Sequence, residues 1–436
     1  MSSIAEIRLW GSTIGAISLA SGEDIATFEY SPDFAQSGIE VSPISMPLSR
    51  NVYRFPSLRG PSFHGLPGLV SDSLPDRFGN ALIDSYLARQ GRPAASFNAI
   101  ERLCYIGKRG MGALEFLPSI GPQNGPSERL DVALLVELAS EILNQRETLN
   151  TAFLSEYTDE AVRLILRIGS SAGGARAKAL IAWNPQTQEV RSGQVSVPEG
   201  FEHWLLKFDG VESNRDKELS DPLGYGAIEY AYYLMAINAG IEMSECRLLE
   251  EGRRRHFMTR RFDRTPKGEK LHMQSLGALG HFDFNLAGAY SYEQAFILIR
   301  QLGLGIDSIE EQFRRMLFNI LARNQDDHVK NIAFLMDKKG SWRLAPAFDV
   351  VYSYNPSGAW TATHQMSLAG KRDNFTLEDF RQTAKNIGMK RGRSDTILAE
   401  VQRAVSQWPE FAGRALVSEE RTLAIKQSFR SFRSDR

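Results

Sequence analysis

The chain has 436 residues, 42% of them hydrophobic and 24% charged, a composition that excludes a disordered protein and leaves length for two or three domains. The formal net charge of −1 excludes a global electrostatic attraction to nucleic acid or to a membrane surface. The two cysteines, Cys104 and Cys246, have no metal-ligand spacing and are too few for a disulfide scaffold, which is typical of a reducing cytosol. The first residues, MSSIAEIRLWGSTIG, lack a secretory signal pattern, and the longest apolar stretch, 224–241, carries Glu229 and is too short to span a bilayer. We therefore expect a cytoplasmic protein without a membrane partner.

The N-terminal part of the chain predicts a small β-rich unit. Strand patterns occur in EIRLW, AISLA and IATFEY, and a Pro-, Ser- and Gly-rich stretch follows to about residue 68. The segment SDSLPDRFGNALIDSYLARQG predicts a helix that ends at Gly91, and CYIGKRGMGALEFLP predicts a loop and a closing strand. The segment SIGPQNGPSE, 119–128, has the composition of a linker. We therefore predict two domains, 1–125 and 126–436.

The second domain begins with helical patterns and continues with strands. LDVALLVELASEILNQRE and YTDEAVRLILRIG predict helices, and ALIAWNPQTQEVRSG and HWLLKFDG predict strands. A helix around 225–240 precedes strands in CRLLEE and RRHFMTRRFDR. From residue 281 the pattern is mostly helical, except for a hairpin in NIAFLMDKKGSWRLAPAFDVV.

Before the first of these strands lies the glycine-rich segment IGSSAGGARAKALIAW, 168–183. Gly169 and Gly174 have the glycine spacing of a Walker A loop, but Ala175 and Arg176 follow where that loop requires Lys and Ser or Thr. A dinucleotide-binding fingerprint is also missing. What remains is a loop whose backbone amides could approach phosphate, as in a kinase glycine loop. By itself the loop favours the simpler interpretation of a mobile turn.

Lys207 lies inside the apolar strand pattern HWLLKFDG. An unpaired ammonium there would be costly, so the lysine reaches solvent or pairs with a carboxylate or phosphate. Glu229 on the next predicted helix is a candidate partner, and the pair would match the strand lysine and helix glutamate of protein kinases. In isolation, a surface strand lysine is an equally good interpretation.

The most informative segment is ARNQDDHVKNIAFLM, 322–336. Asp326 and Asn331 have the D-x-x-x-x-N spacing of a kinase catalytic loop, in which the aspartate accepts the proton of the attacking hydroxyl. Lys330 lies between them and could neutralise the transferred phosphoryl group, and Asp349 follows the predicted hairpin where a kinase has its second magnesium ligand. These residues together favour phosphoryl transfer.

Two other interpretations of this polar segment stay open. One is a solvated helix end capped by an aspartate. The other is a zinc site, which is disfavoured because Asp326, Asp327 and His328 are consecutive and lack a usual ligand spacing.

The order GSSAGGARAKA, LLKFD, TRRFDR, NQDDHVKN and LAPAFDVV resembles the HipA-like serine/threonine kinases of bacterial toxin–antitoxin systems, and LWGSTIGAISL, SLPDRFGNALIDSYLA and IGKRGMGALEFLP resemble that family's N-terminal subdomain. The resemblance implies an α+β fold in which a small β-rich N-terminal subdomain packs on a mostly helical, protein-kinase-like C-terminal domain. It also implies ATP and Mg²⁺ as cosubstrates, an aminoacyl-tRNA synthetase as a possible protein substrate, and a HipB-like helix-turn-helix antitoxin through which the protein would meet DNA indirectly.

The resemblance also implies roles for individual residues. Asp326 would be the catalytic base, Asn331 and Asp349 the magnesium ligands, and Lys207 the lysine that meets the ATP phosphates. His328 and Lys330 would complete the catalytic loop. The remaining implied ATP-binding residues are Ser171, Gly173, Gly174, Ala175, Lys178, Arg260, Arg261 and Phe262.

Ser171 matches the loop serine that family members autophosphorylate, with the adjacent Ser170 as the alternative. Two positions depart from the family pattern: Arg260 replaces the glutamate of relatives in the hinge, and Ala177 replaces the polar residue before the loop lysine.

The predicted function is an ATP- and Mg²⁺-dependent serine/threonine kinase that acts as a toxin. The alternative is a catalytically weak, kinase-like binding module that acts with a DNA-binding antitoxin. The basic stretch GRRRHFMTRRFDR could then contact phosphate backbone, although a charged strand edge is the favoured interpretation of that stretch. A small-molecule kinase would share the site and differ only in the acceptor.

Overall fold

The protein is described by a computed structural model, which covers residues 3–121, 129–144, 165, 176–193, 199–211 and 223–432. The N-terminal unit is built on an antiparallel sheet in the order β4-β3-β2-β1-β5. Its strands are β1 Ser3–Leu9, β2 Ser12–Leu19, β3 Thr27–Tyr30, β4 Tyr53–Arg54 and β5 Leu114–Leu117. Its helices are α1 Gly68–Ser71, α2 Arg77–Arg89 and α3 Ala99–Ile106. The three strands predicted first and the closing strand are thus confirmed.

Helix α3 is absent from the prediction, which assigned its last residues to a loop. Its start has a capping box in which the Asn98 side chain accepts from the Glu101 amide and the Glu101 side chain accepts from the Asn98 amide. This reciprocal pair provides hydrogen-bond acceptors for two backbone amides that have no partner within the helix. The Asn-x-x-Glu pattern was therefore the available signal for this helix.

The second unit begins with helix α4, Val132–Asn144, and a five-stranded antiparallel sheet in the order β7-β6-β8-β10-β9. The strands are β6 Lys178–Trp183, β7 Val190–Ser192, β8 Glu202–Lys207, β9 Cys246–Glu251 and β10 Arg254–Arg260. Helix α5, Tyr225–Asn238, packs against β9 and β10. All of these elements match the predicted ones. The helix predicted at 157–169, except for residue 165, and most of the linker at 119–128 lie outside the described residues.

A third antiparallel sheet, in the order β11-β12-β13, contains the predicted hairpin. Its strands are β11 His272–Ser275, β12 Ala333–Met336 and β13 Trp342–Leu344. The helices of this region are α6 Leu276–Gly280, α7 Tyr292–Gln301, α8 Ile306–Leu321, α9 Leu377–Asn386, α10 Arg393–Ser406, α11 Trp408–Arg414 and α12 Glu419–Ser428. Their apolar faces form the largest hydrophobic cluster of the protein. The predicted α+β class, with a small β-rich unit packed on a larger, mostly helical one, is confirmed.

The two units share a hydrophobic core. Phe78, Ala81 and Leu82 of α2 belong to the same buried cluster as the inner face of α4 and the second sheet. Polar contacts add to this packing: the Asp72 carboxylate accepts from the backbone amide and hydroxyl of Ser275, at 2.6 and 2.9 Å. The N-terminal unit therefore packs against α4 and the second sheet, and it also contacts β11.

Within the described ranges, no helix combines the length and the apolar character needed to cross a bilayer. Cys104 and Cys246 are both buried and unpaired with each other.

Candidate active site

Lys207, the last residue of β8, is the centre of a buried charge cluster. Its ammonium donates to Glu229 of α5 and, at 2.5 Å, to the Asp349 carboxylate. Lys207 and Glu229 are 5% and 1% exposed. Burial opposes the charged form of the lysine, but the carboxylates of Asp349 and then Glu229 raise the pKa of Lys207 above its ordinary value. The predicted Lys207–Glu229 pair is confirmed, and the surface-lysine interpretation is wrong.

Helix α5 is held in place by a residue that the sequence prediction did not use. Asp209, two residues after Lys207, is 1% exposed. Its carboxylate accepts from the amides of Gly224 and Gly226 at the start of α5 and from the Arg255 amide of β10. These contacts join the end of β8 to α5 and so fix where Glu229 lies. The LLKFD motif contained this residue, but its partners are distant in the chain.

Glu229 also binds a second cation. The Arg176 guanidinium donates to its other carboxylate oxygen at 2.8 Å and lies over the Tyr225 ring at 4.4 Å. Arg176 occupies the place where a Walker A loop has its Ser or Thr. In this protein the arginine pairs with the glutamate of α5.

Lys178 pairs with a residue of the N-terminal unit. Lys178 lies directly opposite Lys207 in the β6–β8 ladder. Its ammonium is 3.2 Å from Asp76 Oδ2, and the two side chains are 3% and 2% exposed. Burial raises the pKa of Asp76, and the Lys178 charge acts against this rise. Asp76 lies within the predicted helix segment, but nothing in the sequence placed it at this lysine.

Asp349 is placed by an unusual backbone conformation. Its φ of +55° is left-handed, a region that aspartate and asparagine tolerate better than most residues. Burial alone would raise the pKa of its carboxyl, but Lys207 and then Lys178 hold this pKa below its ordinary value. Asp349 is therefore a carboxylate at neutral pH, and its side chain is 26% exposed.

The predicted catalytic loop forms a compact unit after α8. The Asn331 side-chain amide donates to the Asp326 carbonyl at 2.8 Å, which leaves the side-chain oxygen of Asn331 as the atom able to bind a cation. The indole N–H of Trp360 donates to Asp326 Oδ1 at 2.8 Å. The Asp326 carboxylate is 25% exposed, so it is oriented by Trp360 and still open to a substrate.

The neighbouring Asp327 is structural. It is 4% exposed, and it accepts from the Tyr292 hydroxyl at 2.6 Å, from His364 Nδ1 at 2.8 Å and from the Gln365 amide at 2.7 Å. Burial opposes its ionisation, yet His364 and then the other donors lower its pKa. The structure thus separates the buried Asp327 from the partly exposed Asp326 beside it.

His328 and Lys330 lie on the same side of the loop. His328 Nε2 is 3.8 Å from Asp326 Oδ1, and its ring contacts Phe284. The Lys330 ammonium lies 4.6 Å from the centre of the Phe284 ring. Both residues accompany the predicted base, and their implied roles toward ATP stay predictions.

The predicted hinge residues are engaged within the fold. Arg260 pairs with Glu202 at 3.2 Å, and the buried Arg261 pairs with Asp263 at 2.7 Å. The Arg261 amide donates to the His203 carbonyl at 2.9 Å. Their side chains are therefore occupied by structural ion pairs.

Phe262 is half-buried and packs on Phe348 with ring centres 5.3 Å apart. It therefore lies beside the segment that carries Asp349. The implied contact of this position with adenine stays a prediction.

The basic stretch 252–264 does not form a strand edge, because β10 is paired on both sides, with β8 and β9. Arg254 pairs with Glu251, and Arg255 donates to the Leu416 carbonyl. The charged-edge interpretation is corrected, and the arginines described here bind within the protein.

Five predicted loop residues lie outside the described part of the chain. They are Ser170, Ser171, Gly173, Gly174 and Ala175. Their roles stay predictions.

The oxygen donors at the site suit magnesium. Among the described residues, no three His, Cys, Asp or Glu side chains are grouped to hold a metal ion. Magnesium usually binds one or two carboxylates together with substrate phosphate oxygens and water. Asp349 supplies one carboxylate and Asn331 a side-chain amide oxygen, and these two oxygen donors match this need.

A strand lysine paired with a helix glutamate, a loop with Asp326 and Asn331, and a separate aspartate define a site of the protein-kinase type. Two family models match the chain, the HipA N-terminal domain over residues 5–117 and the HipA-like C-terminal domain over residues 170–408. The chain belongs to the HipA-like family, as the resemblance implied.

A Haemophilus influenzae protein named as a candidate kinase is 29% identical over 159 residues, which cover 31% of this chain and 46% of that protein. The match thus spans about half the length of that relative.

Solved structures show the fold. A chain of the Shewanella oneidensis MR-1 complex of HipA, HipB and operator DNA superposes with a TM-score of 0.66 at 17% identity, over 97% of this chain and 95% of that chain. The Helicobacter pylori proinflammatory kinase CtkA aligns with a TM-score of 0.30 at 12% identity, over 49% of this chain and 91% of that chain; this second likeness is too low to support an argument.

Proposed function

We propose that the protein is an ATP- and Mg²⁺-dependent serine/threonine kinase that acts as a HipA-type toxin. The observation that carries the proposal is the Lys207 ammonium held between Glu229 and Asp349. A binding module has no need for a buried lysine between two carboxylates, whereas a kinase uses this arrangement to place ATP phosphates.

The geometry supports the following proposed roles. Lys207, fixed by Glu229, binds the α- and β-phosphates. Asp326, oriented by Trp360, accepts the proton of the acceptor hydroxyl, and Lys330 offsets charge on the transferred group. Asp349 and Asn331 would hold magnesium, which when bound supplies positive charge that neutralises the phosphate oxygens.

The acceptor and the partners are further parts of the proposal. The family membership supports a translation-related protein such as an aminoacyl-tRNA synthetase as substrate, with autophosphorylation at Ser171 or Ser170. The solved Shewanella complex contains HipB and operator DNA, which supports a HipB-like antitoxin as partner for this chain. DNA contact would then be indirect.

The deciding experiment compares wild type with Asp326→Asn. Asparagine keeps an oxygen that can accept from Trp360, so the loop is retained and only the base is lost. Purified protein is incubated with Mg·ATP, and phosphate incorporation is measured by intact mass. We expect the variant to lose about 100-fold or more of the rate and to lose growth toxicity, with an unchanged unfolding midpoint.

The control is Asp307→Asn, which changes an exposed carboxylate near the start of α8 and should leave the rate unchanged. Retained phosphorylation in Asp326→Asn would rule out the assigned base. Phosphate on Ser171→Ala but not on Ser170→Ala would assign the loop site to Ser170. Phosphoproteomics after brief expression identifies the acceptor, and transfer only to small molecules would contradict the protein-kinase proposal.

A further inference from the structure

The start of α2 reaches from the N-terminal unit into the charge cluster of the second sheet. Asp76 precedes α2 and accepts from the Gly79 amide at 2.7 Å through Oδ1. Its Oδ2 has no hydrogen-bond partner among the described atoms and faces the Lys178 ammonium at 3.2 Å. The helix is fixed in this position because Phe78 and Leu82 pack into the core beneath the second sheet.

Lys178 depends on this carboxylate for its charge balance. Lys178 and Lys207 are directly opposite in an antiparallel ladder, so their side chains share one face of the sheet and like charges there repel. Glu229 and Asp349 both pair with Lys207. Among the described residues, Asp76 is the carboxylate within ion-pair distance of Lys178, and it belongs to the other unit; Asp349 also feels the Lys178 charge.

The N-terminal unit also contacts the predicted hinge segment. The Gly112 amide donates to Asp263 at 2.8 Å, and Arg261 of the hinge segment contacts the Gly110 carbonyl at 3.4 Å. One unit therefore contacts both the lysine side and the hinge side of the candidate ATP site.

We propose that Asp76 is a positioning residue for ATP: it holds the Lys178 ammonium on the phosphate side of the site, so that nucleotide affinity depends on the N-terminal unit. This inference rests on the proposed kinase function. It adds a residue from outside the kinase domain that acts on the phosphates through Lys178.

The test is a double-mutant cycle on the full chain. Asp76→Asn keeps the oxygen that caps α2, because asparagine caps helices as well as aspartate does, and removes only the charge. Lys178→Gln removes the partner charge. Binding of Mg·AMP-PNP is measured by calorimetry for wild type, both single variants and the double variant.

We expect each single variant to weaken Mg·AMP-PNP binding by about tenfold, the size of one charge-assisted contact. The double variant should bind Mg·AMP-PNP with an affinity no lower than that of the single variant with the lower affinity, because both changes break the same pair. Adenosine, which lacks phosphates, should bind all four proteins equally, whereas general damage to the fold would also weaken adenosine. Asp84→Asn is the matched control, since Asp84 lies on the same helix and pairs with Arg102.

The possible results separate a failure of the proposed function from a failure of this inference. A wild type that does not bind Mg·AMP-PNP overturns the proposed function and this inference together. A wild type that binds, with Asp76→Asn binding equally or more tightly, overturns the inference alone, as do additive losses in the double variant. If Asp76→Asn alone does not fold, the double variant is compared with Lys178→Gln: equal affinities support the inference, and a further loss overturns it.

Discussion

Two substitutions around Lys207 separate its part in folding from its part in catalysis. Glu229→Gln removes a carboxylate that is 1% exposed, and Asp349→Asn removes one whose side chain is 26% exposed. Both changes keep the size and shape of the side chain. Both also take one negative charge from the same lysine, so any difference between them comes from burial and from the other contacts.

The expected loss of stability is larger for Glu229→Gln. Removing one partner of a buried ion pair costs about 3–5 kcal/mol, and Glu229 pairs with both Lys207 and Arg176. Lys207 keeps Asp349, and Arg176 keeps its contact with the Tyr225 ring, so we expect the lower end, about 3 kcal/mol. Asp349→Asn should cost about 1 kcal/mol, because solvent screens the pair and asparagine suits the left-handed backbone at this position.

The order should reverse for activity. Asp349→Asn removes a predicted magnesium ligand and should lower phosphate transfer about 100-fold or more, whereas Glu229→Gln should lower it less, since Lys207 is still held by Asp349. Urea unfolding gives the stability, and intact-mass phosphorylation gives the rate. The reasoning would be refuted if Asp349→Asn destabilised the protein as much as Glu229→Gln, or if Glu229→Gln changed the free energy of unfolding by less than about 0.5 kcal/mol.

Three further predictions concern the surrounding structure. Burial lowers the pKa of His272 from 6.5 to about 4, so the unfolded chain binds more protons than the folded one between these pH values. The free energy of unfolding should therefore fall by roughly 3 kcal/mol as the pH falls from 6.5 to 4. Urea midpoints for His272→Gln should show a shallower pH dependence than those of the wild type. A Cβ at Gly226 would overlap the Arg255 carbonyl, so Gly226→Ala should cost about 1–3 kcal/mol and weaken Mg·AMP-PNP binding by moving α5; unchanged thermal unfolding would contradict this. Asp327→Asn should cost about 2–3 kcal/mol by losing charged hydrogen bonds, measured in urea beside Asp326→Asn, which should cost less than 0.5 kcal/mol; equal losses would contradict the division between the two aspartates.

Elements with a strong local pattern could be predicted from the sequence. β1 has alternating burial, with Ala5, Ile7 and Leu9 inside, and such alternation is visible in any half-buried strand. The spacing of Asp326 and Asn331 likewise predicts a kinase-type loop, because the chemistry needs both groups within one short segment. The family models agree with the resemblance on which the remaining assignments depended.

Contacts between distant segments could not be predicted in this way. Asp76 and Lys178 pair because α2 packs beneath a sheet that begins about a hundred residues later, and no spacing rule encodes that placement. β11 was missed for a related reason: a strand of four residues, His272–Ser275, is stabilised by its neighbour β12 rather than by its own pattern. Local patterns define elements, whereas the partner of a buried charge is set by packing.

Contacts with distant residues orient the Asp326 carboxylate through its neighbour Asp327. Asp327 accepts from the Gln365 amide, the Gln365 side chain donates to the Trp360 carbonyl, and the Trp360 indole donates to Asp326. The buried aspartate therefore orients the exposed one through two residues that follow it by more than thirty positions. Because His364 joins Asp327 to Arg430 near the end of the chain, the geometry of the predicted base depends on the C-terminal segment as well as on its own loop.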